Sequence, residues 1–237
     1  MSLPKLEVPT YDLKLSSLKE EITFRPFLVK EEKILLTALE GEQQDMVRAM
    51  KQIMDNCIET KINLDELPLF DLEYLFLNLR SKSVGETSNL LVTCKECSKE
   101  NPITIDLSTI ELQSPDEEID SNVMLSDTVG VLLKYPTVDM LKYVDIDIGE
   151  TVDLDATFEI LEHCIDTLYD GDELYDLQDY TKKEKEEFFN SLTQKQFQDI
   201  QEYFDNIPKL SHLVEYKCNS CESEQSLTIE GLQNFFG

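Results

Sequence analysis

The chain is short of the residues that most catalytic and phosphate-binding motifs require. Seven glycines are spread over 237 residues. None of the Gly-rich patterns that cradle phosphate, bind dinucleotides or set a nucleophilic serine on a sharp turn occurs. Two histidines, His163 and His212, leave little for general acid–base work or for a histidine-activated nucleophile. No window approaches the roughly 18 uninterrupted apolar residues of a membrane span. The opening MSLPKLEVPTYDLKL carries no apolar run of the secretory kind. Positive charge is scarce as well: 21 Lys and Arg stand against 49 Asp and Glu, a formal charge of −28. Such a chain lacks the cations that displace counterions from nucleic-acid phosphates or hold an anionic membrane surface. These shortages predict a protein that is not an enzyme and binds neither nucleic acid nor membrane. They also predict synthesis in a reducing cytoplasm, where cysteines serve as thiols or metal ligands and not as disulfides.

Apolar residues are plentiful enough for a core, at 41% with 11 Phe and 9 Tyr, so global disorder is not expected. Residues 1–29 read as strands: Leu13, Leu15, Ile22 and Phe24 alternate around a polar break, and Pro26 stops a central strand. Residues 30–82 read as helices. Lys30–Glu40 carries strong helix formers with Glu31 and Glu32 near its positive end, and Gly41 is a stop. Met46, Val47, Met50, Ile53, Met54 and Cys57 fall on one helical face. A third helix from Pro68 is apolar on nearly every side, so it packs centrally or docks on a partner. Residues 113–206 read as an acidic helical insertion; between Asp145 and Asp205, 19 acids face 4 lysines. Phe158, Leu161, Ile165 and Leu168 mark one amphipathic helix there, and Thr181–Glu184 and Thr193–Gln196 have capping-box spacing. The Asp166–Asp172 run lacks the order of a calcium loop and reads as a solvated surface.

The chemistry lies in VTCKECSKENPITI and EYKCNSCESEQSLTI. Cys94 and Cys97 form one C-x-x-C pair, Cys218 and Cys221 the other, each between two strand-like runs. Two intervening residues in a tight turn bring both thiolates to one side, where they can share a metal at about 2.3 Å. The pairs are separated by 120 residues, but loop-closure entropy grows only logarithmically with length. This predicts an α+β protein in which both ends of the chain, residues 83–112 and 207–237, build one small β-rich zinc-ribbon-like unit. A closed Cys₄ zinc site would be structural. Iron, as one ion or an iron–sulfur cluster, could use the same sulfurs. A zinc-ribbon regulator or a redox protein is therefore the alternative, although Glu96, Glu100, Glu215, Glu222 and Glu224 around the pairs suit nucleic acid poorly. Cys57 and Cys164 read as small buried residues, His163 as a surface group, and His212 as a loop residue.

Several blocks resemble the baseplate hub subunit family of T4-like contractile-tailed bacteriophages. They are PTYDLKLSSLKEEITFRPFLVKEEKILLTALE with its RPF-x-VKEEK at Arg25–Lys33, LPLFDLEYLFLNLRSKSVGE, the first C-x-x-C, and the terminal YKCNSCESEQSLTIEGLQNFF. The resemblance spans residues 8–107 and 207–237. It implies a virion structural or hub-assembly protein whose partners are other hub and tail proteins, with an oligomer within the hub as one arrangement. It further implies assembly in the host cytoplasm and a place at the tail baseplate. The apolar third helix then suggests Phe70, Tyr74 and Leu77, with Arg25, Lys30 and Lys33 beside them, as partner-binding residues; plain core packing is the competing reading.

Overall fold

The computed structural model describes residues 6–38, 43–115, 119–142 and 154–235. The expected helix stop at Gly41 and the side chains of Met46 and Val47 lie outside the described residues. The chain is mixed helix and sheet, an α+β protein, and it divides into two compact units. One is built from residues 1–113 and 209–237, the other from 114–208.

The first unit opens with β1 (Tyr11–Leu13) and β2 (Ile22–Phe24), paired antiparallel with Tyr11 opposite Phe24. Helices α1 (Val29–Ala38), α2 (Gln43–Cys57) and α3 (Leu69–Val84) follow. Leu75, Leu77 and Leu79 of α3 are fully buried, so this all-round apolar helix lies inside the unit. Asp71, a carboxylate on the same helix, is also fully buried. It accepts the backbone N–H groups of Ser16 at 2.9 Å and Ser17 at 2.7 Å, fastening the loop between β1 and β2 to the helix. A buried charge is tolerated here because each carboxylate oxygen has a donor. Then β3 (Thr87–Thr93) and β4 (Glu100–Asp106) form a hairpin of strictly alternating burial, with Leu90, Val92, Ile103 and Ile105 inward. The short β5 (Leu112–Gln113) ends this part.

The second unit contains β6 (Asn122–Met124), β7 (Val129–Leu133), α4 (Leu154–Cys164), β8 (Ile165–Asp170), β9 (Glu173–Tyr175), α5 (Lys182–Ser191) and α6 (Gln194–Asp205). Its four strands make an antiparallel sheet in sequence order. Val131 of the sheet, Leu161 of α4, Phe189 of α5 and Ile200 of α6 share one core. Both capping boxes form. Thr181 and Glu184 bond reciprocally at the start of α5, as do Thr193 and Gln196 at the start of α6. The expectation of a helical insertion is corrected by this sheet. Phe158 and Leu161 do lie on α4, but the helix ends at Cys164, and Ile165 and Leu168 belong to a strand. The acidic run Asp166–Asp172 takes in most of β8 and the turn into β9, with Gly171 at φ 58°. The chain then returns to the first unit as β10 (Lys209–Lys217) and β11 (Glu224–Glu230), a second seven-pair hairpin, with β5 against the start of β10.

Candidate metal centre

Each C-x-x-C pair forms the tip of one long hairpin, and the two tips are built alike. At the first, the Cys94 N–H donates to the Lys99 carbonyl at 2.9 Å, and the Ser98 N–H donates to the Cys94 carbonyl at 2.9 Å. At the second, the Cys218 N–H donates to Ser223 and the Glu222 N–H to Cys218, both at 2.9 Å. The residue after each second cysteine is left-handed, Ser98 at φ 56° and Glu222 at φ 63°. That reversal of the chain leaves both thiols of a pair on one side of the turn.

The two tips converge. Cys94 Sγ is 3.7 Å from Cys221 Sγ, and Cys97 Sγ is 3.6 Å from Cys218 Sγ, so contacts run between the tips. All four sulfurs lie within 4.8 Å of one another. A tetrahedral ion holding thiolates at about 2.3 Å would set neighbouring sulfurs about 3.8 Å apart, so these four residues fit a single ion. Cys94 and Cys218 are buried, Cys97 is half-buried and Cys221 is exposed. Asn101, on β4 and 1% exposed, joins the tips. Its Nδ2 donates to the Lys99 carbonyl of one at 2.8 Å, and its Oδ1 accepts the Asn219 N–H of the other at 2.8 Å. Ser223 Oγ lies 3.1 Å from Cys221 Sγ and 3.7 Å from Cys94 Sγ, and accepts a bond from Gln225 Nε2.

The backbone favours thiolates here. N–H groups of Cys221 and Ser220 bring the Cys218 thiol down to about 6, and the Cys97 N–H lowers that of Cys94. The Lys99 N–H acts the same way on Cys97, but burial and the crowded Cys221, Cys218 and Cys94 sulfurs outweigh it and push that thiol up to about 12. Four sulfurs this close cannot all ionise without a cation to share them.

The remaining candidates separate. Cys57 is buried, with its thiol raised to about 11 by desolvation, and accepts a long 3.5 Å bond from Arg25. Cys164 is buried against Met140 Sδ at 3.7 Å, its thiol pushed up to about 12 by burial. His163 is half-buried on α4, its Nδ1 2.8 Å from the Glu159 carbonyl. His212, expected in a loop, sits in β10 opposite Ile229.

Two of the suggested partner residues are corrected: Phe70 and Leu77 are 5% and 0% exposed, because α3 is the centre of its unit. Tyr74 is half-buried. Arg25 turns inward as well. It bonds Glu31 at 3.0 Å, the Asn56 carbonyl at 2.7 Å and the Pro26 carbonyl at 2.9 Å, tying β2 to the start of α1 and the end of α2. Lys30 and Lys33 remain at the surface of α1. Sequence reasoning passed over Asn101 and Ser223. The usable signal for Asn101 was a polar residue at the inward register of a strand whose other inward residues are Ile103 and Ile105.

A family model described as T4 bacteriophage base plate protein matches residues 8–237. The baseplate hub assembly protein gp26 of Enterobacteria phage T4 is 24% identical over 226 residues, covering 95% of this chain and 96% of that protein. No solved structure gives a significant match.

Proposed function

We propose that this chain, which belongs to the T4 bacteriophage base plate protein family, is a non-enzymatic structural or assembly protein of a phage tail baseplate hub. The observation that carries the reading is a family match running from residue 8 to 237, through both units and both cysteine pairs. Its partners are other hub and tail proteins, met in the host cytoplasm during assembly, and it acts through protein–protein contacts at the tail baseplate. The relative named a hub assembly protein supports the assembly side of this role. Among the described residues no helix is long and apolar enough to cross a membrane.

Zinc is the proposed ion, held by Cys94, Cys97, Cys218 and Cys221, which makes the two hairpin tips the knuckles of a zinc-ribbon-like unit. Four thiolates fill a tetrahedral shell and leave no position for substrate water, so the metal's chemistry is cross-linking and not catalysis. Sulfurs within 4.8 Å of one another favour one ion over a cluster, whose several irons would spread their cysteine ligands farther. Asn101 orients the two tips before any ion binds, and the N–H groups of Cys221, Ser220 and Cys97 hold thiolate charge at Cys218 and Cys94.

The role is tested by deleting the gene from the phage. Hub assembly should stop and return with a plasmid copy; hubs that form normally without the gene would overturn it. Elemental mass spectrometry on anaerobically purified protein should find one zinc per chain. Iron in its place, or a metal-free protein of unchanged stability, would refute the zinc reading.

A further inference from the structure

The sheet of the second unit packs one face on its core, while its other face carries apolar residues that stay exposed among the described residues. Register places Val123, Val131, Leu168 and Tyr175 on the inner face, across from one another on the four strands. The same register puts Met124, Gly130, Tyr169 and Leu174 in one row on the outer face, with Leu132 in the row beside it. Met124 is 47% exposed, Leu132 37% and Leu174 74%.

This outer row has a built centre. Gly130 faces Tyr169, and a Cβ on it would come within 2.3 Å of the Tyr169 hydroxyl and 2.5 Å of its ring. Lacking one, the sheet lets the phenol lie flat across β7 and reach β6, where it donates to Asn122 Oδ1 at 2.6 Å and stands 3.0 Å from Met124 Sδ. An aromatic plate is thus pinned between an exposed methionine and an exposed leucine. Acids flank this row at the turns, Asp127 between β6 and β7 and Asp172 between β8 and β9, with Asp120 and Asp166 toward the other end, all exposed. Asp170 pairs with Val129 and Glu173 with Asp170, so these two share the inner-face register. Lys134 lies 3.8 Å from Asp166.

We propose that this outer face docks a heterologous partner protein that presents an apolar side chain ringed by Lys and Arg. The proposal deepens the hub-assembly reading and rests on it for the partner's setting, though not for the chemistry. Charge selects the occupant. A second copy meeting this face with its own would set acid rim against acid rim on chains of −28 each, whereas a basic rim is attracted and its approach accelerated. Affinity would come from covering Leu174, Met124 and the Tyr169 ring, orientation from the acids.

The test uses the full-length, metal-loaded protein and a synthetic amphipathic peptide with a Leu face and Lys flanks, followed by heteronuclear NMR. The expected perturbations centre on Met124, Leu132, Tyr169 and Leu174. Leu174→Ser should weaken binding about tenfold, the scale of one lost buried leucine. Asp172→Lys should weaken it less and remove part of its salt dependence. The same peptide with Glu for Lys should not bind. Both substitutions fall on exposed residues, so the fold is kept, which a melting curve verifies. Perturbations elsewhere, or equal affinity for Leu174→Ser, would overturn the proposal. So would a dimer in sedimentation that Leu174→Ser dissolves, since the face would then belong to a second copy. Binding at this face by a protein whose gene proves dispensable for hubs would remove the assembly role and leave the docking chemistry standing.

Discussion

The two units solve the same problem with different means. The second is one continuous stretch, residues 114–208, and closes an aromatic core of Phe158, Phe189 and Phe197 with ring centroids 5.6 and 5.8 Å from Phe158. Its helix starts are fixed locally, by capping boxes that need only four consecutive residues. The first unit must join residue 113 to residue 209 across that whole insertion. It does so at a sheet pairing of two residues between β5 and β10, and at the hairpin tips, where four sulfurs meet. Local chemistry suffices where the chain is continuous, and where it is not, four cysteines from the two ends of the chain come together. The cost of closing so long a loop is modest and logarithmic, and the returning segment buries Leu210, Ile229, Leu232 and Phe235.

The comparison is broken most sharply by removing one of the four cysteines proposed to hold zinc. Structural zinc in small sites contributes on the order of 10 kcal/mol, comparable to the stability of a whole domain. Cys218→Ser, or a strong chelator, should therefore unfold the cysteine hairpins. Amides of β3, β4, β10 and β11 should lose their hydrogen-exchange protection while those of α5 and α6 keep theirs. A single transition in which both units melt together would show that the division does not extend to their energetics.

Next in size is the ion pair that anchors the helices of the first unit. Glu31 is fully buried. Burial alone would raise its carboxyl, but hydrogen bonds from Arg25, the Leu28 N–H and Lys30 outweigh that and hold it below its ordinary 4.5. Removing one member of a buried pair strands the other, at a cost of about 3–5 kcal/mol, and Arg25→Ala should destabilise the first unit by that order. The sign of the pH effect follows from the depressed carboxyl. Its contribution is present above pH 4.5 and is lost as pH falls through the lower folded value. Chemical denaturation of wild type and Glu31→Gln should therefore differ most at neutral pH and converge in acid. A difference that grew on acidification would contradict the pairing.

The second unit offers the smaller, local counterpart. Thr193→Ala removes the side chain that accepts the Gln196 N–H at 3.3 Å and should cost about 1 kcal/mol. The loss should appear in the melting of α6 and leave the cysteine hairpins untouched.

These contrasts also explain what could be read in advance. Capping boxes and C-x-x-C turns are written in adjacent residues, so Thr181, Thr193 and the four cysteines stood out. The strands of the second unit did not, for two reasons. β6 and β9 have three residues each, too few to display a period of two. In addition, the pairing of β7 with β8 shifts register between Leu132 and Leu133, which breaks the alternation that would mark them. Leu161, Ile165 and Leu168 fit a helical spacing equally well, and only the tertiary pairing of Leu168 with Val131 decides. Asp71, Arg25 and Glu31 were hidden for another reason. A buried charge is recognised by its partners, and those of Asp71 lie 54 and 55 residues away.

The smallest expected effect bears on how the cysteine tips are made. Ser98 is exposed, with φ at 56° in a conformation that side chains pay for. Left-handed backbone costs a residue with a Cβ about 1–2 kcal/mol, while glycine carries an entropic penalty of about 0.5–1 kcal/mol. Ser98→Gly should thus stabilise the first unit by about 0.5 kcal/mol and slow release of the proposed metal to a chelator, without altering the second unit. If Ser98→Gly instead accelerated release, the strained turn would be holding Cys97 toward the ion, and the strain itself would be part of the site.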